Sequence, residues 1–183
     1  AAEVIQGRVI AIGVNVDGMN VYRHLYYTDD LSSWQTGPQL SDDNTYYWMM
    51  DISEQFATFV DDTYFFMSAD GTDVDTLDLT SIAGAATGYW LARLVTAEPN
   101  GDFFYYVHNN SMIYRYDINT ETWADISPDF GGGSYMLQNI HATDSILTVG
   151  GIFISAPMSL DLVCSEDHGE NYEVIAESGT GTN

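Results

Sequence analysis

Lysine is missing from this 183-residue sequence altogether, and the only basic side chains are Arg8, Arg23, Arg93 and Arg115. Against 27 acidic residues they leave a net charge of −23. Such a chain repels phosphate backbones and anionic bilayers, so neither nucleic acid nor the membrane surface is expected as a direct partner without bridging cations. Three origins of the acidity stand side by side: a surface suited to high salt, a cation-rich extracellular setting, or a plain requirement for solubility. Cysteine is nearly absent too. Cys164 alone cannot form an intramolecular disulfide or a thiolate metal cluster, and in "LDLVCSED" it reads as a small buried apolar residue. No apolar run approaches the roughly 18 residues of a membrane helix, so membrane insertion is not expected. No signal peptide is legible, and the opening "AAEVIQG" suggests a processed or excised segment.

Metal and nucleotide motifs are lacking as well. His24, His108, His141 and His168 lie far apart, with no HxH or HExxH spacing, and read as structural or surface residues. "DFGGGSY" has glycines but no following lysine, so it is not a phosphate loop. No Ser-His-Asp arrangement can be assembled from a motif. Calcium is the one cation the oxygen-rich loops suit, and Asp70, Asp73 and Asp75 form the densest candidate set, without the spacing or terminal Glu of an EF-hand. The expectation is a chain without a cofactor, calcium being the exception to test.

What the sequence does have is aromatics, 14% of residues, in short alternating runs bounded by Asp, Asn, Gly and Ser. "RVIAIGVNVDG" ends on Asp17-Gly18, a hairpin signal, and "NVYRHLYYTDD" follows as its partner. "QFATFVDDTYFFMSADG", "DFFYYVHNNSMIYRYD" and "SILTVGGIFIS" with "MSLDLVCSED" read the same way. The best helix candidate, "DDNTYYWMMDISEQF", suits a strand equally well. The fold class is all-β.

The hairpins recur. Trp34, Leu77, Trp123 and Tyr172 each follow a polar turn and stand 43, 46 and 49 residues apart (34 to 77, 77 to 123, 123 to 172). The chain therefore parses into four units of four strands, approximately 1–40, 41–82, 83–130 and 131–178, with 179–183 as a flexible tail. The first unit lacks most of its leading strand, for which only "VIQG" is on hand. A period near 45 residues matches a β-propeller blade. Stacked blades cover both faces of a sheet, which explains strands such as "FFYYV" that are apolar at successive positions. A β-sandwich is the competing architecture. Open blade edges would favour an oligomer or a place in a larger propeller.

In the fourth copy, Ser165, Asp167, Gly169 and Tyr172 stand in the order S-x-D-x-G-x-x-aromatic. This resembles the Asp-box, or BNR repeat, of sialidase-like β-propellers. The other copies are degenerate. Thr28, Asp30 and Trp34 keep hydroxyl, acid and aromatic in a loop one residue shorter, with Ser32 where Gly is expected. Ser68, Asp70 and Gly71 keep the start, while Tyr116, Asp117, Thr120 and Trp123 are more similar to a kelch-type turn. The resemblance implies a structural role: the acid ties the loop together, Gly bends it, and Tyr172 or Trp34 folds over it into the sheet. It also implies that Asp167 is not a catalytic acid. The sialidase site itself is not matched, since its Arg-Ile-Pro tripeptide is absent and only four Arg exist. No carboxylate pair is singled out by spacing for a glycoside hydrolase.

The expected function is thus a non-catalytic binding or assembly module, extracellular or virion-exposed, with other protein subunits as partners. A glycan-binding adhesin is the first alternative and a glycoside hydrolase the second. Tyr46, Tyr47, Trp48, Tyr89 and Trp90 are the candidate ligand-binding aromatics, because rings cover sugar C–H faces and neighbouring acids accept hydroxyls.

Overall fold

The computed structural model describes residues 2–18, 20–41, 50–52, 57–60, 64–79, 82, 94–108, 112–128, 135–153 and 159–178. The chain divides into two compact units, Ala1–Ala85 and Ala86–Asn183. Each contains two four-stranded antiparallel sheets whose strands are neighbours in chain order.

In the first unit, β1 (Ala2–Ile5), β2 (Arg8–Asp17), β3 (Asn20–Thr28) and β4 (Gln35–Ser41) form one sheet. β5 (Met50–Ile52), β6 (Ala57–Val60), β7 (Tyr64–Ser68) and β8 (Asp75–Asp78) form the other. β1 is the leading strand of the first sheet, pairing Ala2 with Ala11 and Ile5 with Arg8. Asp17 pairs with Asn20 across the predicted hairpin, where Gly18 has φ 62°. Of the helix candidate, Met50–Ile52 is strand β5; residues 42–49 and 53–56 lie outside the described residues. Among the described residues, Ile5, Ile10, Leu25 and Phe66 form a core cluster in this unit.

The second unit repeats the plan with β9 (Val95–Ala97), β10 (Phe103–His108), β11 (Met112–Asp117) and β12 (Thr122–Asp125). β13 (Tyr135–Ala142), β14 (Leu147–Phe153), β15 (Ser159–Ser165) and β16 (Glu173–Ser178) complete it. β10 is buried at successive positions, from Phe104 to His108, as a strand covered on both faces must be. Tyr105, Val107 and Ile113 of one sheet pack with Leu137, Val149 and Val163 of the other in a single core. Burying each such side chain contributes roughly 1.5–3 kcal/mol before conformational entropy is subtracted. The architecture is that of β-propeller blades: four consecutive four-stranded antiparallel meanders.

Candidate functional site

The residues singled out by the repeat lie in the last hairpin turn of each sheet. In the fourth, the Ser165 hydroxyl donates to Asp167 Oδ1 at 2.7 Å and accepts the Gly169 N–H at 2.8 Å. Asp167 in turn accepts the Asn171 N–H on Oδ1 at 2.8 Å and the Asn171 amide on Oδ2 at 2.7 Å. These bonds, Asn171 foremost and Ser165 next, hold the Asp167 carboxyl down at about 2. A carboxylate so occupied is a loop brace and a poor proton donor near neutral pH.

The first copy repeats the scheme with other residues. Thr28 Oγ1 accepts the Leu31 N–H at 3.1 Å, and Asp30 Oδ1 accepts those of Ser32 and Ser33 at 2.9 and 2.8 Å. The N–H groups of Ser33 and Ser32 keep Asp30 well below the usual carboxylate range. In the second copy, Ser68 Oγ accepts the Gly71 N–H at 2.9 Å, and Asp70 Oδ1 accepts that of Thr72 at 2.8 Å. In the third, Asp117 Oδ1 accepts the Asn119 N–H at 2.8 Å, and Trp123 stands opposite Tyr116 with ring centroids 5.0 Å apart.

Two expectations for the first turn need correction. Leu31 takes the left-handed conformation, φ 63°, and Ser32 is not the glycine substitute. Trp34 does not fold into the sheet; it remains 47% exposed. The shorter loop keeps a left-handed residue three positions after the hydroxyl, as His168 is in the fourth turn, but has no counterpart of Gly169, and the ring stays outside. Cys164 is half-buried rather than fully buried.

The turns also carry a second arrangement that local motifs do not show. Arg8, at the start of β2, grips Asp29 with two nitrogens at 2.7 and 3.1 Å and stands 4.8 Å from the Tyr27 ring centroid. Its remaining nitrogen reaches the next sheet and donates to the Asp70 carbonyl at 3.0 Å. Arg115 of β11 does the same in the second unit. It lies 5.0 Å from the Phe103 ring centroid and donates to the His168 carbonyl at 2.8 Å and to Glu170 at 2.9 Å. In both cases the accepting carbonyl belongs to the residue before the left-handed glycine, Gly71 or Gly169. Both glycines are needed for space as well. A Cβ at Gly71 would sit 2.9 Å from Tyr27 Cβ, and one at Gly169 2.4 Å from Ile126 Cδ1. Each turn is thus held on the preceding sheet by an arginine, across 62 and 53 residues of sequence.

The second unit adds a buried carboxylate, Glu98, 1% exposed at the end of β9. Its Oε1 accepts the Tyr105 hydroxyl at 2.6 Å and lies 2.6 Å from His168 Nδ1. Its Oε2 is buried without a hydrogen-bond partner. Burial, then Glu98, pushes the Tyr105 phenol far up, so that it stays protonated and donates to the carboxylate. The repeat did not single out Glu98. The only sequence signal was a lone carboxylate immediately following the apolar run "LVTA".

Asp70, Asp73 and Asp75 do not converge as ligands: the Asp70 carboxylate is engaged with Thr72, the Asp73 carbonyl accepts Ser68, and Asp75 opens β8. Among the described residues, no group of three or more His, Cys, Asp or Glu is placed to hold a metal ion. Tyr46, Tyr47, Trp48, Tyr89 and Trp90 lie outside the described residues. Two concavities flank the fourth turn. One of about 400 Å³ is bounded by Asp125, Ile126, Val163, Glu170, Tyr172 and Val174 among others. One of about 230 Å³ is lined by Cys164, Glu166, Asp167, Asn171 and Glu173.

No protein-family model matches this chain, so the Asp-box likeness rests on its residues alone. No curated protein matches its sequence. Solved structures do match, and they are β-propeller proteins. Dipeptidyl peptidase 4 of Porphyromonas gingivalis aligns with 98% of this chain at 10% identity and TM-score 0.69, using 33% of its own length. A prolyl endopeptidase aligns with 97% at 13% identity and TM-score 0.64, using 28% of its length. YCF48 bound to D1 peptide aligns with 87% at 16% identity and TM-score 0.57, using 50%. The chain therefore spans between 28% and 50% of these structures, and what it shares with them is the fold.

These neighbours correct the expectation that the chain is not an enzyme. Two of the three are peptidases, so the architecture gives no ground for excluding catalysis. Blades are a scaffold, and chemistry is decided by the sites grafted onto it.

Proposed function

We propose that this chain is a propeller-type binding and assembly module whose partners are proteins, displayed outside the cell or on a virion. The observation that carries the reading is the fold it shares with YCF48, a structure solved with a peptide bound. The composition supports exposure to a cation-rich medium: a charge of −23, no lysine and one cysteine. The blade faces and edges supply partner surfaces, and assembly with further copies or with other propeller segments belongs to the same reading.

Peptide-display selection against the purified chain tests it, together with light scattering of the chain alone and with the selected peptides. The expected result is saturable binders of extended sequence. A selection that returns none, beside specific retention on a glycan array, overturns the protein-partner reading in favour of an adhesin.

A further inference from the structure

We infer that the 400 Å³ cleft beside β16 takes a lysine or arginine side chain, carried by an extended segment of another protein that runs along the β16 edge. The inference rests on the binding-module reading and assigns that reading a site. The walls of the cleft suit such a side chain from stem to head. Ile126, Val163 and Val174 provide apolar surface for a methylene stem. Tyr172 adds an aromatic ring to the lining, and the carboxylates of Asp125 and Glu170 stand among the lining groups to meet the charge. Glu170 already binds Arg115 at 2.9 Å yet stays 61% exposed, so it retains access for a second donor.

The neighbouring strand supplies the rest of a docking surface. β16 is the outer strand of its sheet, so its far edge pairs with no other strand of that sheet. Val174 and Ile175 are 54% and 52% exposed, and a register shift that pairs Val163 with Val174 but Leu162 with Ala176 leaves Ile175 bulged out of the pairing, so apolar surface is uncovered at the start of the strand. An exposed apolar edge strand is a template for one more strand, with main-chain bonds giving affinity and alternate side chains giving selectivity. Charge selects the occupant. Glu166, Asp167, Glu170 and Glu173 surround the strand start, and Arg115 alone offsets them among the groups described there. At this acidic edge the charge of −23 disfavours a second copy of the chain and favours a basic segment, while other surfaces remain open to further copies.

Fluorescence anisotropy of a labelled alternating arginine–valine heptapeptide tests the site on the full chain. Glutamine–valine and glutamate–valine versions serve as comparators. Val174→Arg blocks the cleft, and Val14→Arg makes the same charge change at a comparably exposed valine of β2, 51% exposed. The expected result is saturable binding, weakened about tenfold by V174R (about 1.4 kcal/mol) and unchanged by V14R. The glutamine peptide should bind about tenfold more weakly and the glutamate peptide not at all. Circular dichroism melts check that both variants fold; if V174R does not, an arginine at Ile175 replaces it. Equal loss in both variants, equal binding of the glutamate peptide, or no saturable binding overturns the inference. Display-selected binders indifferent to V174R would leave the binding-module reading standing and remove this site. A selection without binders removes the reading itself.

Discussion

The turns at Thr28–Trp34 and Ser165–Tyr172 begin with the same chemistry and end differently. In both, a buried hydroxyl and an aspartate two residues later tie up the backbone N–H groups of the loop. In the fourth sheet the turn is pressed onto the sheet before it: Gly169 is buried against Ile126, Arg115 holds the His168 carbonyl, and Tyr172 is half-buried. In the first sheet Leu31 is 70% exposed and Trp34 47% exposed, so the loop stands in solvent. A hydrogen-bonded loop is a local object that a few residues specify. Its contact with a neighbouring sheet is what demands glycine and rewards a ring at the end.

The sharpest way to break the comparison is Gly169→Ala. The new methyl meets Ile126 at 2.4 Å and sits on a residue with φ 90°, so overpacking and backbone strain combine. The expected loss is about 3 kcal/mol in urea denaturation. Ser165→Ala comes next. It removes a buried hydroxyl that serves Asp167 and Gly169, for an expected loss of about 1–2 kcal/mol in the same measurement. Leu31→Gly should move stability the other way, by about 1 kcal/mol, because it relieves a left-handed β-carbon in a loop with no close approach to fill. A destabilised L31G would mean that Leu31 makes a contact worth more than its strain.

The smallest effect is a pH dependence. The Asp167 carboxyl sits at about 2 in the folded protein against 3.8 for the free group. A depressed carboxylate stabilises the fold at pH values above its unfolded pKa, and that stabilisation disappears as pH falls from about 4 to about 2. Urea midpoints across that window should fall more steeply for the wild type than for Asp167→Asn. Parallel curves would show that Asp167 holds no more tightly in the folded loop than in the unfolded chain.

The strands were largely legible because their signals are local. "RVIAIGVNVDG" and "DFFYYVHNNSMIYRYD" announce a hairpin through alternation and turn residues within a dozen positions, and the structure has β2–β3 and β10–β11 there. The arginine clamps were not legible. Arg8 opens its strand and Arg115 lies within one, neither marked by a motif, and the carbonyls they hold are 62 and 53 residues away with no side-chain identity to read. An acidic chain with only four arginines did carry a hint, since each cation there is scarce. The Glu98–His168 pair is hidden for the same reason, being 70 residues apart.

By itself the sequence determined the all-β class, the four-fold hairpin repeat and the polar framework of each turn, because hydrophobic alternation and short-range hydrogen bonds act within a few residues. Only the tertiary structure decided which turn is pressed onto a neighbouring sheet, where the scarce arginines reach and which acid is buried. Those outcomes depend on surfaces brought together across more than fifty residues, where an arginine or a glycine meets a partner that no nearby residue of the sequence announces.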